Sequence, residues 1–583
     1  MKMHIAPRGF AWFAAFCFAS FLAAGEKIYL IEAETMAETG RYALEKESKK
    51  ASGGYFLHAA EAGEKCRGLY RIPRSGKYVF YLRNLGYGEN SRKVALFVDG
   101  REIGIAGDER NGFLWSRAGE AELTAGEHEI ALCARGVHTR PDALLLVPGD
   151  KLPCADDALP AEKDVERLPA LDGEILRGKI ALNGTTEKAP FSSHRCGEKI
   201  DFVFHPACDG KALTTGFLLY HFRGDDGEES SGKVALTGEK IVLPATLKKP
   251  GFVWCHAALG KESGGRALCA DPGTGGLYQA TFVSAAGADE EKIPQIAEPA
   301  DFDIFWGTLK KELAAVPFDA TLREVAGRQS EKFATFAVEA ACAGARPVTG
   351  YLVMPRGATA HSLPAEVGFQ GYGLHKPFFP NPRPGKIYFE INAHGMPLGE
   401  NNDFYRDFFK PLQGYAMHDG ADPQRCYFHD MAYRVLRALE FVRTLSEWDG
   451  KNLIVSGGSQ GGMQSLWAAA QDDKVTFCRI SVPWNCNLGG GYFGLIQPSA
   501  CAVEFFPGLL YYDSANHAKR ITCPVEITRA GLCDTICPPA GVARMYHNLK
   551  CPKKITWYEN NTHFAPLPGT KTFTFGTDDF PSE

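Results

Sequence analysis

Ser459 stands inside the run Gly457-Gly458-Ser459-Gln460-Gly461-Gly462, with a glycine two places to either side. That spacing can hold a hydroxyl in a turn so tight that only glycine fits beside it, exposed for attack on a carbonyl. A serine hydroxyl is a weak nucleophile until a base takes its proton and an acid orients that base. After Ser459 the chain contains His517, His547 and His563. His517 and His547 lie in stretches that read as helix, 514–519 and 541–549, where a polar surface histidine is expected. His563 follows the strand-like run Lys554-Ile555-Thr556-Trp557-Tyr558 and the turn-forming pair Asn560-Asn561. Asp534 closes the loop Gly531-Leu532-Cys533-Asp534 beyond the strand-like Pro524-Val525-Glu526-Ile527-Thr528. Asp513 is the other acid available, but it precedes a helix at Ser514 and reads as its cap. Ser459, His563 and Asp534 thus fit the roles of nucleophile, base and orienter.

The flanks supply the elements that these side chains need. Leu453-Ile454-Val455 reads as a strand entering the glycine turn, and Met463 to Gln471 as the helix leaving it. The amide of Gln460 begins that helix, whose N-terminus attracts negative charge, so it is placed to bind the alkoxide of an attacked ester. The chain order Ser, Asp, His is that of the α/β-hydrolase fold, a mostly parallel sheet flanked by helices. Asp430 to Leu445 carries Met431, Val435, Leu436, Leu439 and Val442 at core-facing helical spacing, which leaves Arg434, Arg437 and Glu440 for the solvated face.

The segment Glu447 to Ser456, leading into the glycine-flanked serine, resembles the acetylxylan esterase and cephalosporin-C deacetylase family, carbohydrate esterase family 7, of α/β-hydrolase fold. Phe369-Gln370-Gly371-Tyr372-Gly373 resembles the family's oxyanion loop, His-Gly-Tyr-Asn. Leu532 to Pro539 resembles its acid loop, and Pro299 to Trp306 the segment that opens its domain. The similarity spans about residues 296 to 568 in the family's order. It implies a triad of Ser459, Asp534 and His563, with backbone N–H groups of Tyr372 and Gln460 facing the oxyanion. Without the resemblance, Gly371 and Gly373 are equally a tight turn. Three departures stand out. Ile391-Asn392-Ala393-His394-Gly395 replaces the family's Arg-Gly-Gln, a form shared with relatives that carry extra N-terminal domains. His563 lies between Thr562 and Phe564 rather than in Gly-His-Glu, and little chain remains beyond Lys571 for a closing helix. His394 either fills its loop or touches substrate.

A chain of 583 residues is too long for one core. Its net charge of -5, with no basic stripe, gives nucleic-acid binding no electrostatic support. Lys2 and Arg8, the apolar Phe10 to Ala24 and the small residues Ala23-Ala24-Gly25 read as a signal peptide over residues 1–25, with a membrane anchor as the alternative. Later apolar runs are too short to span a membrane. Of 17 cysteines, Cys196, Cys208, Cys255 and Cys269 share one β-rich stretch and either pair there or stay as buried thiols. Cys533 and Cys537 lack the second pair that a zinc site needs.

Residues 26–150 read as an all-β module, from alternating runs such as Lys77 to Leu82, Val94 to Val98 and His128 to Leu132 between Gly and Asp turns. Ile31 to Met36, Ser52-Gly53-Gly54-Tyr55 and Leu123 to His128 resemble carbohydrate-binding modules of families 6 and 35. That resemblance implies a structural Ca²⁺ at Glu32, Glu34 and Asp142. Trp115 is the candidate glycan contact or a core aromatic. Residues 151–285 are similar to an immunoglobulin-like β-sandwich, 286–298 form a linker, and 299–583 form the hydrolase. The fold expected is multidomain: two N-terminal all-β sandwiches, then an α/β-hydrolase.

The expected function is a secreted or periplasmic serine esterase that removes acetyl groups from acetylated xylan, hemicellulose or derived oligosaccharides. It needs no cofactor for catalysis, no nucleic acid and, in the mature form, no membrane. The alternatives are a serine hydrolase of another class, such as a peptidase or an esterase for bulkier acyl groups, and a glycan-binding protein with an inactive hydrolase domain. The oligomeric state is left open.

Overall fold

Along Lys65–Ile72 the side chains of Cys66, Tyr70 and Ile72 are buried while Lys65, Arg67 and Arg71 are exposed, the period-2 pattern of a strand with one wet face. The computed structural model describes residues 27–581 apart from 39–42, 47–49, 53–54, 60–61, 87–92, 108–111, 137, 172–173, 177–179, 187–193, 261–266, 271–276, 497–504, 565 and 567–569. The expected signal peptide therefore lies outside the described residues. The strand Lys65–Ile72 belongs to a four-stranded sheet with Gly126–Ala134, Val94–Val98 and Arg101–Ala106. It packs on a five-stranded sheet ordered Val165–Arg167, Ile28–Glu32, Pro141–Val147, Gly76–Gly86, Gly112–Leu123. Tyr29, Ile31, Phe80 and Leu82 meet Leu96, Ile130 and Leu132 between the two sheets.

The chain after 150 stays with this sandwich. Val165–Arg167 pairs in parallel with Ile28–Leu30, and Leu168 and Ala170 enter the same core. The boundary expected at 150 therefore moves past Ala170. The returning segment also corrects the expectation for Trp115. Its indole is 3% exposed, packs with Ile28, Leu30, Tyr81 and Leu145, and donates its N–H to the Ala158 carbonyl at 2.7 Å. A ring so covered offers no face to a sugar.

The second sandwich pairs Glu229–Ala235, Phe217–Gly224, Gly251–Gly260 and Thr281–Ala288 in one sheet, and Ile180–Thr186, Ile200–Cys208, Lys211–Ala212 and Ile241–Ala245 in another. Asp209-Gly210 makes the expected hairpin between Ile200–Cys208 and Lys211–Ala212, both residues at positive φ. All fifteen described cysteines are free thiols, so the disulfide alternative for Cys196, Cys208, Cys255 and Cys269 does not hold.

The segment expected as a linker is built into the structure. The strand Thr281–Ala288 runs into it, and Ile293 is buried in one core with Phe252 and Trp254 of the sandwich and Trp557 of the C-terminal body. Asp225 joins the two bodies: one carboxylate oxygen accepts from the Phe252 amide and the other from the Ile496 amide, both at 2.7 Å.

The chain from Pro299 on holds a ten-stranded sheet, its strands labelled in chain order: β1 Ala320–Glu324, β2 Phe333–Ala340, β3 Val348–Pro355, β4 Leu363–Phe369, β5 Ile387–Ile391, β6 Trp448–Gly458, β7 Phe477–Ser481, β8 Val525–Gly531, β9 Lys553–Tyr558 and β10 Thr572–Gly576. The spatial order is β1-β2-β3-β5-β4-β6-β7-β8-β9-β10. From β5 to β9 every neighbouring pair is parallel; β1 to β3 and β10 add antiparallel edges. Where a closing helix would follow, β10 pairs with β9 instead.

The helix Tyr427–Arg443 is buried on more than its apolar stripe, which corrects the solvated face expected for two of its residues. Arg434 is wholly buried and donates to the Ala393 carbonyl at 3.0 Å. Arg437 is 2% exposed and donates to the Leu313 carbonyl at 2.7 Å while pairing with Glu440. These cations satisfy carbonyls at loop and helix ends, a role that helical periodicity cannot reveal. His517, expected on the surface, is also fully buried, against the Trp306 ring.

Burial pushes the Asp225 carboxyl up from 3.8 to about 7. Its folded pKa lies above the unfolded one, so the stability it contributes is whole below about pH 4 and is lost as pH rises toward 7. We expect Asp225→Asn to flatten the fall in melting temperature between pH 4 and 7, measured by thermal unfolding across that range. An unchanged slope would place the titrating group elsewhere.

Candidate active site

The turn after β6 is shaped by close backbone approach. A Cβ on Gly461 would lie 2.1 Å from the Phe369 carbonyl oxygen, and one on Gly457 2.5 Å from the Gly461 carbonyl carbon. Neither position admits a side chain, so the helix α4, Gln460–Gln471, starts directly against the ends of β4 and β6. Ser459 between them is held at φ 55°, ψ -119°, a conformation that costs a non-glycine residue about 1–3 kcal/mol. Neighbouring backbone secures it: the Ser459 amide donates to the Ser481 carbonyl at 3.0 Å, and the Trp484 amide donates to the Ser459 carbonyl at 3.1 Å.

Asp534 and His563 emerge from the same carboxyl edge of the sheet, in the loops after β8 and β9. The His563 Nδ1 stands 2.8 Å from Asp534 Oδ2. The other Asp534 oxygen accepts from the Ile536 and Cys537 amides, each at 2.8 Å. With Oδ1 taken by two backbone donors, Oδ2 is left to accept from an Nδ1–H of His563, the tautomer that leaves Nε2 as an acceptor. The two loops are tied together, since the Cys533 amide donates to the Asn561 carbonyl at 3.0 Å. Gly531 lets them meet: a Cβ there would fall 2.5 Å from the Asn561 oxygen. The Cys537 thiol shares this spot. Asp534, Cys537 and His563 form, among the described residues, the group whose ligand-type atoms all lie within 4.8 Å of one another. Asp513 instead caps its helix, as expected, and also accepts from the Asn487 and Leu488 amides.

The loop after β4 lies over the elbow, with Gly371 3.6 Å, from an ideal Cβ, to the Gly458 carbonyl. Its Gln370 side chain accepts from Asn392 at 3.0 Å, and its Gln370 carbonyl accepts from Gln464 of α4 at 3.0 Å. The Tyr372 ring stacks on Tyr415 with centroids 5.0 Å apart and meets the Trp484 ring edge-on at 5.3 Å. His394 is a loop-filling residue here. Its Nε2 donates to the Gly373 carbonyl at 3.1 Å, and its Nδ1 accepts from the Tyr427 hydroxyl at 2.7 Å. Burial holds its pKa down to about 3, so the ring stays neutral. Tyr415 bridges the two segments that would face an oxyanion: its hydroxyl accepts from the Gly373 amide at 3.3 Å and donates to Gln460 Oε1 at 2.5 Å. Sequence reasoning missed Tyr415, which sits in a one-turn 3-10 helix far from any motif. The Asn392-Ala393-His394 run was the available signal for this network.

Glu32, Glu34 and Asp142 gather in the first sandwich. Asp142 is held by Arg83 at 2.5 Å and by the Ser52 amide at 2.8 Å, and Glu32 by Arg167 and the Ser52 hydroxyl. Both oxygens of the fully buried Glu34, and Glu32 Oε2, have no hydrogen-bond partner among the described residues. Burial, then the nearby Asp142, pushes the Glu34 carboxyl well above its usual range. These bare oxygens fit a hard cation, while Asp142 is already spent on Arg83.

Residues 290–489 and 490–575 match the family acetyl xylan esterase (AXE1). The acetyl esterase Axe7A of Xylanibacter ruminicola is 28% identical over 354 residues, which cover 58% of this chain and 76% of that protein. Among solved structures, an acetyl xylan esterase from Paenibacillus sp. R4 is 25% identical, covering 48% of this chain and 94% of its own, with a TM-score of 0.42. Acetyl xylan esterase 1 from Thermoanaerobacterium sp. JW/SL YS485 is 23% identical, covering 48% and 93%, with a TM-score of 0.38.

Tyr415→Phe removes the bridge between Gly373 and Gln460 without changing the ring. We expect kcat on a small acetyl ester to fall about 10-fold, the scale of one lost hydrogen bond, with KM nearly constant. Steady-state kinetics check this; an unchanged kcat would mean that the bridge does not shape the oxyanion site.

Proposed function

Residues 290–575 carry the acetyl xylan esterase domain and the protein is a carboxylic ester hydrolase, and from that premise we propose a secreted serine esterase that removes O-acetyl groups from acetylated xylan, hemicellulose or their oligosaccharides. The observation that carries the reading is the hydrogen bond from His563 to the buried Asp534 at the sheet edge that also bears the strained Ser459 turn.

In this mechanism the Nε2 lone pair of His563 takes the Ser459 proton as the oxygen attacks the acetyl carbonyl. The carbonyl oxygen becomes an alkoxide, bound by the amides of Tyr372 and Gln460, the latter at the N-terminus of α4. Asp534 holds the imidazolium by its Nδ1–H. The protonated His563 then gives its proton to the departing sugar oxygen, leaving an acetyl ester on Ser459. Water, deprotonated by His563, attacks that ester and releases acetate. Tyr372 and Trp484 meet edge-on beside the elbow, and the matching family and the acetyl esterase relative support an acetyl ester over a peptide. Export follows from the leader-like residues 1–25; no helix among the described residues is long and apolar enough to cross a membrane.

The proposal extends to calcium at Glu32 and Glu34 near Asp142, where it would neutralise buried charge and stiffen the first sandwich without entering the reaction. Added calcium is expected to raise the melting temperature of wild type and not of Glu34→Gln; equal response in the two would remove the ion from this site.

Acetate release from acetylated xylan and xylo-oligosaccharides is the direct test. Wild type should release acetate and Ser459→Ala essentially none, while Asp534→Asn should lose about 10⁴-fold in kcat with the fold intact. Equal, negligible release from wild type and Ser459→Ala would overturn the assignment.

A further inference from the structure

The base His563 lies between β9 and the edge strand β10, and no helix stands after it among the described residues. Beside the hydrolase contacts already described, groups of the two N-terminal sandwiches reach this segment. From the second, the Val283 amide donates to Asn560 Oδ1 at 2.9 Å, and Thr185 accepts from Lys571 at 2.8 Å. From the first, the Arg140 guanidinium sits over the Phe564 ring, 5.7 Å from its centroid. Phe564 is the residue after the base, and its ring meets the His563 ring edge-on at 5.9 Å. Its carbonyl accepts from Arg529 and, at 3.1 Å, from Asn561.

Arg140 is rigidly set. It is 3% exposed, its amide donates to Asn84 Oδ1 at 3.0 Å, its carbonyl accepts from the Leu85 amide at 2.9 Å, and its guanidinium donates to the His138 carbonyl at 2.9 Å. Behind it, His138 and His58 stack at 4.7 Å and hydrogen-bond to each other, both buried. His58 lies close enough to the dyad to feel the charges of Asp534 and His563, and burial keeps both imidazoles well below their usual range, hence neutral. A neutral pair at this contact avoids repelling the imidazolium that forms on His563, and it packs the wall from which Arg140 reaches.

We propose that the first sandwich completes the esterase site: Arg140, seated on His138 and His58, is a positioning residue that fixes the His563 loop through Phe564. The inference rests on His563 being the base. It gives the N-terminal domains a part in the chemistry on any acetyl ester, including one too small to need glycan binding.

The test uses the full chain and a soluble aryl acetate, so that polysaccharide recognition plays no part. Arg140→Ala should lower kcat at least 10-fold with KM within 2-fold, and Arg140→Lys, which keeps the cation, should recover part of it. Phe564→Leu, which keeps bulk and loses the ring face, should behave like Arg140→Ala. Arg71→Ala, at an exposed position of the same sandwich, should match wild type. If Arg140→Ala fails to fold, Phe564→Leu and Arg140→Lys decide. A kcat within 2-fold of wild type for the folded variants overturns the inference while leaving the esterase reading intact. Wild type no more active than Ser459→Ala would instead sink the esterase reading, and this inference with it.

Discussion

The contact between the Gly461 backbone and the Phe369 carbonyl is the constraint on which the rest of the hydrolase depends. Only where the end of β4 can touch the first turn of α4 does β6 end in a turn that holds Ser459 at positive φ. The same contact brings the loop after β4 over the elbow, because Phe369 is immediately followed by the residues that carry Tyr372. One close approach thus sets the place of Ser459 and of the Tyr372 and Gln460 amides. A side chain at 457 or 461 would separate them together, which is why the strain at Ser459 can persist: it is over-determined by parallel pairing of β6 on both sides.

Around that contact the molecule uses buried polar groups as spacers. Asn392, His394, Tyr415 and Tyr427 link the oxyanion loop to the loop after β5 and to the helix Tyr427–Arg443, with Arg346 donating to the Tyr427 hydroxyl. Each is neutral or paired, so the low dielectric strengthens the chain of hydrogen bonds rather than penalising it. The position occupied by Arg-Gly-Gln in the family's better-known members is filled here by Asn392-Ala393-His394, whose side chains bind the loop's backbone. Arg434 still reaches this region, donating to the Ala393 carbonyl from the helix.

The domains are joined by the same means. Asp225 accepts from backbone amides of both the second sandwich and the hydrolase, and Phe252 shares a core with Trp557. Such an interface is not that of tethered modules; it shares apolar burial and buried carboxylates across the chain boundary. His563 lies close to it, since Asn560 accepts from the Val283 amide of the second sandwich.

The strained Ser459 turn and the loops that bring Asp534 and His563 together could be read from the sequence because each rests on local chemistry: glycines that a tight turn demands, a chain order, and loops that follow β-rich runs. The strands of both sandwiches were legible for the same reason, since alternation and Asp-Gly turns act over a few residues. What lay beyond reach depended on contacts distant in the chain. Trp115 stands open between a glycan contact and a core ring in the sequence, and the segment around Asp156 and Ala158 that covers it decides for the core. Arg434 and Arg437 looked solvated because helical periodicity says nothing of the carbonyls that await them. Tyr415 bears no motif at all, and Arg140 meets Phe564 across more than four hundred residues of chain. Sequence by itself determined which groups can carry out ester chemistry, through the short-range sterics of the backbone. Only tertiary packing decided what holds those groups still, because burial and long-range hydrogen bonds exist only once distant segments meet.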